Sequence, residues 1–80
     1  MLRISKPTKL DPAEVIERAS NFFGKEGEGL ELKERNQCCI SFEGAGGFMF
    51  VSVVEEGKLR TVDIETREFE YQAKQFLKKL

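Results

Sequence analysis

Three glycines lie within four residues in the stretch EGAGG, which begins at Glu43. Glycine-rich loops bind phosphate when their backbone amides converge at a helix N-terminus beside a lysine or similar group. Here a strand-like apolar segment follows, the P-loop spacing is missing, and Glu43 would repel an anion. Glycine also supplies the positive φ angles that hairpin turns need. The segment is therefore predicted to be a turn between two strands.

The two cysteines are adjacent, at Cys38 and Cys39, and the chain has no histidine. A structural zinc site needs about four ligands, and a catalytic cysteine needs a base that generates the thiolate. Because neighbouring strand residues point to opposite faces, Cys38 is expected in the core and Cys39 at the surface. We interpret the pair as inert thiols that bind no metal and build no disulfide framework, and a redox role of Cys39 stays open.

Fourteen carboxylates could in principle do acid–base chemistry. Such catalysis needs two of them in one cleft with separated pKa values. Glu55 and Glu56 fall in a predicted turn and Glu26 and Glu28 in a predicted linker, while most others take solvent-facing positions. Because no perturbed pair is marked in this pattern, we predict that the chain is not an enzyme and uses no cofactor.

Basic residues are concentrated at the two ends of the chain. Residues 1–10 and 74–80 each carry three cations and no carboxylate. Since the whole chain has a net charge of −1, the residues between these two segments carry a net charge of −7 (−1 − 3 − 3 = −7). An acidic middle argues against broad phosphate binding, and terminal lysines ordinarily complement a helix dipole. Nucleic-acid or polyanion binding is therefore the alternative hypothesis. It would use Arg3, Lys6, Lys9, Lys74, Lys78 and Lys79.

A helix is predicted near each end of the chain. The first spans residues 11–23, with Asp11 as N-cap, Glu14 completing a capping box and Gly24 ending it in a left-handed conformation. The second follows Thr66, a candidate N-cap. Both carry apolar residues at helical spacing. The two stripes consist of Val15, Ile16, Ala19, Phe22 and Phe23, and of Phe69, Ala73, Phe76, Leu77 and Leu80.

Between the helices, three or four segments show the alternation or apolar content of strands: LELKER, QCCISFE, GFMFVSVV and KLRTVDIE. We expect Phe42 opposite Phe48 across the glycine turn, and Val54 opposite Lys58 across a three-residue loop with Gly57 left-handed. This register collects large apolar side chains on one sheet face, under the two helices. They are Cys38, Ile40, Phe42, Phe48, Phe50, Val54, Val62 and Ile64.

The other sheet face is predicted to be bare and to carry an apolar strip with polar margins, which is typical of a binding surface. The placement of Leu30 and Leu32 depends on the turn at ERNQ. A two-residue loop would add both leucines to the strip, and a three-residue loop would send them to the helix side. The strip itself consists of Met49, Val51, Val53 and Leu59.

The predicted fold is an α+β two-layer sandwich, in which an antiparallel meander of three or four strands carries both terminal helices on one face, in the order αβββ(β)α. Residues 1–80 are expected to form one domain, with a basic N-terminal arm over 1–10 and an acidic glycine-rich connector over 24–29. No apolar run approaches the length of a membrane span, and the N-terminus lacks a secretory pattern. A cytoplasmic location is expected.

The predicted function is a small, non-enzymatic protein–protein interaction module, or a homodimerising one, that uses the bare sheet face. A protein partner or a second copy is expected, with no metal and no membrane. The apolar central strand GFMFVSVV carries this hypothesis, because an 80-residue chain gains stability by covering such a surface.

Overall fold

The computed structural model describes residues 1–25 and 27–80, so Glu26 of the predicted connector lies outside the described residues. The α+β class and the antiparallel sheet are confirmed, with five strands rather than three or four. The strand order in the sheet is β1-β5-β4-β3-β2. The elements along the chain are β1 (Leu2–Pro7), α1 (Pro12–Phe23), β2 (Glu31–Arg35), β3 (Cys39–Gly44), β4 (Gly47–Glu56), β5 (Leu59–Arg67) and α2 (Glu70–Lys78).

Both helices pack on the same face of the sheet. One core contains buried side chains of α1 and α2 together with those of β3, β4 and β5. The ring of Phe23 in α1 lies 5.8 Å from that of Phe42 in β3 and 5.1 Å from that of Phe76 in α2, measured between centroids. The predicted apolar stripes therefore meet over the sheet, and the fully buried strand side chains point towards them.

The segment expected to be a basic N-terminal arm includes the edge strand β1. It pairs antiparallel with β5, and Ile4 lies opposite Ile64. Leu2 and Ile4 are partly buried, whereas Arg3 and Ser5 between them are exposed. This alternation is typical of a strand, whereas the prediction of an arm considered only the three cations of the segment. The chain therefore begins with a strand, and the predicted element order is wrong at this end.

The glycine run forms a two-residue hairpin turn. Gly44 pairs with Gly47, so the loop consists of Ala45 and Gly46, whose φ angles are 44° and 80°. Positive φ at both central residues is the mark of a type I′ turn, whose twist matches that of the flanking strands. The strands consequently extend further into the glycine run than predicted, and Phe42 lies opposite Met49.

The second hairpin is also tighter than predicted. Glu56 pairs with Leu59, which leaves Gly57 and Lys58 as the loop. Gly57 has a φ of 59°, as the first central residue of a type II′ turn requires. Val54 accordingly lies opposite Thr61 instead of Lys58.

The predicted faces of β4 are therefore wrong. A shift of an odd number of residues turns every side chain of a strand to the other face, and each hairpin differs from prediction by such a shift. Met49 and Val51 are fully buried and Val53 is 8% exposed, so the predicted strip lies in the core. Because β4 is apolar on both faces, turn geometry decides its register and side-chain size does not. The β4 residues that instead face away from the helices are Phe48, Phe50 and Val54.

The two leucines left open by the sequence lie on the helix side. Leu30 is buried in the core, and Leu32 lies opposite Phe42, whose ring packs under α1. A bulge between Leu32 and Glu34 adjusts the rest of β2 to β3. The outcome matches the alternative in which both leucines join the helix side, although Leu32 stays largely exposed at the sheet edge.

The start of α1 is where the sequence places it, but the predicted capping box is absent. Asp11 is the N-cap, and its side chain makes no capping hydrogen bond. Its Oδ1 lies 3.7 Å from Nη1 of Arg60 instead. Glu14 pairs with Arg18 one turn later at 3.2 Å. Ion pairs therefore replace the reciprocal hydrogen bonds that the box would have made.

Two further helix-end predictions are wrong. Gly24 has φ −74°, outside the left-handed region, and glycine is needed there because an added Cβ would lie 2.4 Å from the carbonyl oxygen of Ser20. Thr66 caps no helix, since it lies in β5 and donates a hydrogen bond to the carbonyl of Phe48 at 2.7 Å. The N-cap of α2 is Phe69.

Candidate interaction surface

The sheet face that carries no helix is called the open face below. It is built from the residues of each strand that alternate with the core residues. Of the predicted strip, Leu59 alone lies on this face, where it is 73% exposed. Val54, which was predicted to face the helices, also lies here and is 44% exposed. The apolar residues of the open face are Phe48, Phe50, Val54 and Leu59.

Phe50 lies near the centre of the open face. It belongs to the middle strand of the sheet and is flanked by Ser41 on β3 and Glu65 on β5. Its side chain is 37% exposed although it is large and apolar. Phe48, two residues earlier on the same face, is half-buried. An aromatic pair surrounded by polar side chains is the arrangement found at the centres of protein interfaces.

The open face is acidic. Six carboxylates and three cations lie on it, which gives a formal charge of −3 (3 − 6). Since the whole chain carries −1, all other residues together carry +2. The carboxylates are Glu31, Glu34, Glu43, Glu56, Asp63 and Glu65, and the cations are Arg3, Lys33 and Arg67.

Some of these charges neutralise one another. Nη2 of Arg3 lies 2.9 Å from Oδ2 of Asp63, and Nζ of Lys33 lies 3.4 Å from Glu31 and 3.5 Å from Glu43. The hydrogen bond and charge of Asp63 raise the pKa of Arg3. The remaining carboxylates of the open face form no ion pair among the residues that the structure describes. They are Glu34, Glu56 and Glu65.

The pKa of Lys33 is raised chiefly by the charge of Glu31, then by hydrogen bonds to Glu31 and Glu43. A raised pKa means that the folded chain binds this proton more tightly than the unfolded chain does. The resulting stabilisation is fully present at neutral pH and is lost as the pH rises through the folded pKa. Since the pair is exposed, its effect on stability is small.

The six basic residues of the alternative hypothesis are not gathered on one surface. Arg3 lies on the open face, whereas Nζ of Lys6 donates to the carbonyl oxygen of Leu77 at 2.8 Å, on the helix side. Nζ of Lys79 lies 5.3 Å from the ring centroid of Phe22. The two basic ends do meet, because Lys6 contacts the C-terminal end of α2. The exposed remainder is Lys9, Lys74 and Lys78.

The two cysteines form a disulfide bond with each other. Cys38 is exposed in the turn before β3, and Cys39 is half-buried opposite Ser52 on the open face. The prediction of a core Cys38 and of inert thiols is therefore wrong. The reason is that β3 begins at Cys39, so Cys38 does not share the strand alternation.

Residues 1–25 and 27–80 contain neither a metal-ligand cluster nor a membrane-spanning helix. No three histidine, cysteine or acidic side chains come together there in a way that could hold a metal ion. Neither described helix has the length and apolar content needed to cross a bilayer.

Comparisons with protein-family models, with curated proteins and with solved structures give no match for this chain. The class of the fold is therefore given by its own geometry, a two-layer α+β sandwich with one uncovered sheet face. Any function has to be argued from the residues of that face and from the other exposed groups described above.

Proposed function

We propose that the chain is a small, non-enzymatic protein–protein interaction module that binds a partner protein through the open face. The observation that carries this proposal is the exposure of Phe50, with Phe48 beside it, in the middle of an uncovered sheet. Burying a phenylalanine fully contributes about 1.5–3 kcal/mol, so a partner that covers this pair gains substantial free energy.

The open face supplies much of the area that such an interface needs. The five strands contain 36 residues (6 + 5 + 6 + 10 + 9), and at roughly 3.3 Å by 4.8 Å per residue they cover roughly 570 Å². That is about two-thirds of the ~800 Å² that each partner contributes to a standard interface. The apolar residues lie along β4 and the adjoining end of β5, and charged residues surround them, which resembles an apolar centre with a polar rim.

The charge of the open face favours a basic partner over a second copy. In a face-to-face homodimer, −3 would meet −3, and like charges across an interface oppose association. A partner with an apolar surface bordered by lysine or arginine would instead pair with the carboxylates that have no ion pair here, such as Glu34 and Glu65. We therefore propose a basic heterologous partner and treat the homodimer as an outcome of the test.

Replacing Phe50 with lysine should weaken partner binding by about 30-fold or more, since truncating a central aromatic residue commonly costs about 2 kcal/mol or more. The matched control is Tyr71→Lys, because Tyr71 is 71% exposed but lies on α2, away from the open face. The partner is first captured from extract of the source cells on the immobilised wild-type chain. It is then purified, and its Kd is measured for the wild type and both variants by calorimetry.

The same experiment contains the results that would count against the proposal. Equal loss of affinity in both variants would show that the open face has no special role. A captured partner without a basic surface, whose affinity ignores salt, would contradict the charge argument. A wild-type dimer at micromolar concentration that Phe50→Lys dissociates would keep the open face but replace the basic partner by a second copy.

A further inference from the structure

The disulfide between Cys38 and Cys39 joins two adjacent residues at an exposed turn. We propose that this pair is a thiol–disulfide exchange site that takes a dithiol as its substrate. The proposal does not rest on partner binding through the open face, because the attacked atom, Sγ of Cys38, lies in the turn that leads into β3. Cys39, the other half of the bond, lies on the open face opposite Ser52.

The backbone around the pair is held without help from the sulfur atoms. The amide of Asn36 donates to the carbonyl oxygen of Cys39 at 2.9 Å, and the amide of Val53 donates to that of Cys38 at 2.9 Å. The amide of Cys38 donates to Oδ1 of Asn36 at 3.1 Å. None of these three hydrogen bonds uses a sulfur atom, so opening the S–S bond removes none of them.

The bond also contributes little to folding stability. A disulfide stabilises mainly by shortening the loop that the unfolded chain can explore, and a link between neighbours closes almost no loop. Neither cysteine belongs to the buried core. Opening the bond should therefore leave the fold intact, which separates the redox chemistry of this pair from unfolding. Structural disulfides, which close long loops, behave in the opposite way.

The difference in exposure between the two cysteines determines which sulfur atom is attacked. A thiolate of the dithiol attacks Sγ of the exposed Cys38, the S–S bond breaks, and Cys39 leaves as a thiolate that takes a proton from water. The second thiolate of the dithiol then attacks the dithiol's other sulfur, which is bonded to Cys38 in the mixed disulfide. Cys38 is released as a thiolate and takes a proton from water. The dithiol is thereby oxidised to a disulfide by two electrons, and the protein disulfide is reduced to two thiols.

Asn36 is placed to receive the thiol that is released second, that of Cys38. Its Oδ1 lies 3.2 Å from Sγ of Cys38 and can accept a hydrogen bond from the thiol once the S–H bond forms. The amide side chain carries no charge, so it holds the thiol without trapping it as a thiolate.

The test is a titration of the native chain with dithiothreitol, a dithiol, followed by alkylation with iodoacetamide and mass spectrometry. We expect no adduct before reduction and two adducts afterwards. The far-UV circular dichroism and the urea midpoint should stay unchanged, and Tyr71→Lys, a change on α2 away from both cysteines, should behave like the wild type. The proposal is overturned if the thiols alkylate without reductant, if reduction requires urea, or if reduction unfolds the chain.

Two single variants test the direction of attack. Cys39→Ser leaves only Cys38 and Cys38→Ser leaves only Cys39, and both are treated with an aromatic disulfide whose released thiolate absorbs visible light. Because Cys38 is the more exposed residue, Cys39→Ser, which keeps Cys38, should react several-fold faster than Cys38→Ser. Equal rates or the reverse order would contradict the assignment of Cys38 as the attacked atom.

Discussion

Replacing Met49 with lysine should leave the chain largely unfolded at 25 °C, whereas the same replacement at Phe50 should leave it folded. Met49 has no exposed surface and lies between Phe42 and Thr66 on neighbouring strands, so a lysine there would bury an ammonium without a counter-charge. That costs several kcal/mol even if the amine loses its proton, against a total of about 4–12 kcal/mol for 80 residues.

Phe50 is the matched control because it is the next residue on the same strand and points to the other face. A lysine at this position would lie opposite Glu65, whose charge it can meet. Far-UV circular dichroism and urea unfolding of both variants measure the difference. If Phe50→Lys unfolds the chain and Met49→Lys does not, then β4 has the opposite register and the open face described here is buried.

Replacing Phe76 with alanine should lower the free energy of unfolding by about 3–5 kcal/mol, the usual cost of removing a buried phenylalanine. Its ring centroid lies 5.5 Å from that of Phe22 and 5.1 Å from that of Phe23, so this one side chain joins the two helices. The loss leaves a cavity at the point where α2 meets α1. Urea denaturation monitored by circular dichroism gives the change directly.

The control for this change is Tyr71→Ala on the same helix. Tyr71 is exposed, and its removal should alter the stability by less than about 0.5 kcal/mol. Similar losses in the two variants would mean that α2 is not docked through Phe76, and the shared core of the two helices would then be wrong.

Both helices could be predicted because the apolar residues of each recur at the helical period of 3.6 residues and do not alternate as strand residues do. Val15, Ile16 and Ala19 are fully or almost fully buried, and so are Ala73 and Phe76, as their spacing indicates. The exact cap chemistry could not be predicted. The side chain of Asp11 pairs with Arg60, a residue about fifty positions away, and such long-range contacts override local capping preferences.

The register of the sheet was harder because β4 is apolar on both faces. Collecting the largest side chains on one face gives a consistent but wrong answer, since Met49 and Val51 fill the core as well as Phe48 and Phe50 would. A usable signal lay in the second hairpin, where Gly57 precedes Lys58 in the two-residue pattern of a type II′ turn. Turn chemistry therefore deserves more weight than residue size when a strand is apolar on both sides.

Two other features of the structure have only weak signals in the sequence. The alternation of Leu2 and Ile4 with polar residues marks β1, although a six-residue edge strand gives only a weak signal. The adjacency of Cys38 and Cys39 is plain in the sequence, but no sequence pattern requires a bond between them, and the structure forms one with Cys38 just before the first residue of β3. The sequence predicts the uncovered face and places Leu59 on it, but it assigns Phe48, Phe50 and Val54 to the opposite face.

Site-specific photo-crosslinking tests the central proposal most directly, namely that a partner protein covers the open face. A benzophenone amino acid is placed at Phe50 in one chain and at Tyr71 in another, and both are irradiated in living source cells. We expect a crosslinked product of one defined partner at position 50 and none of it at position 71. A product at position 71 alone, or none at either position, would contradict it.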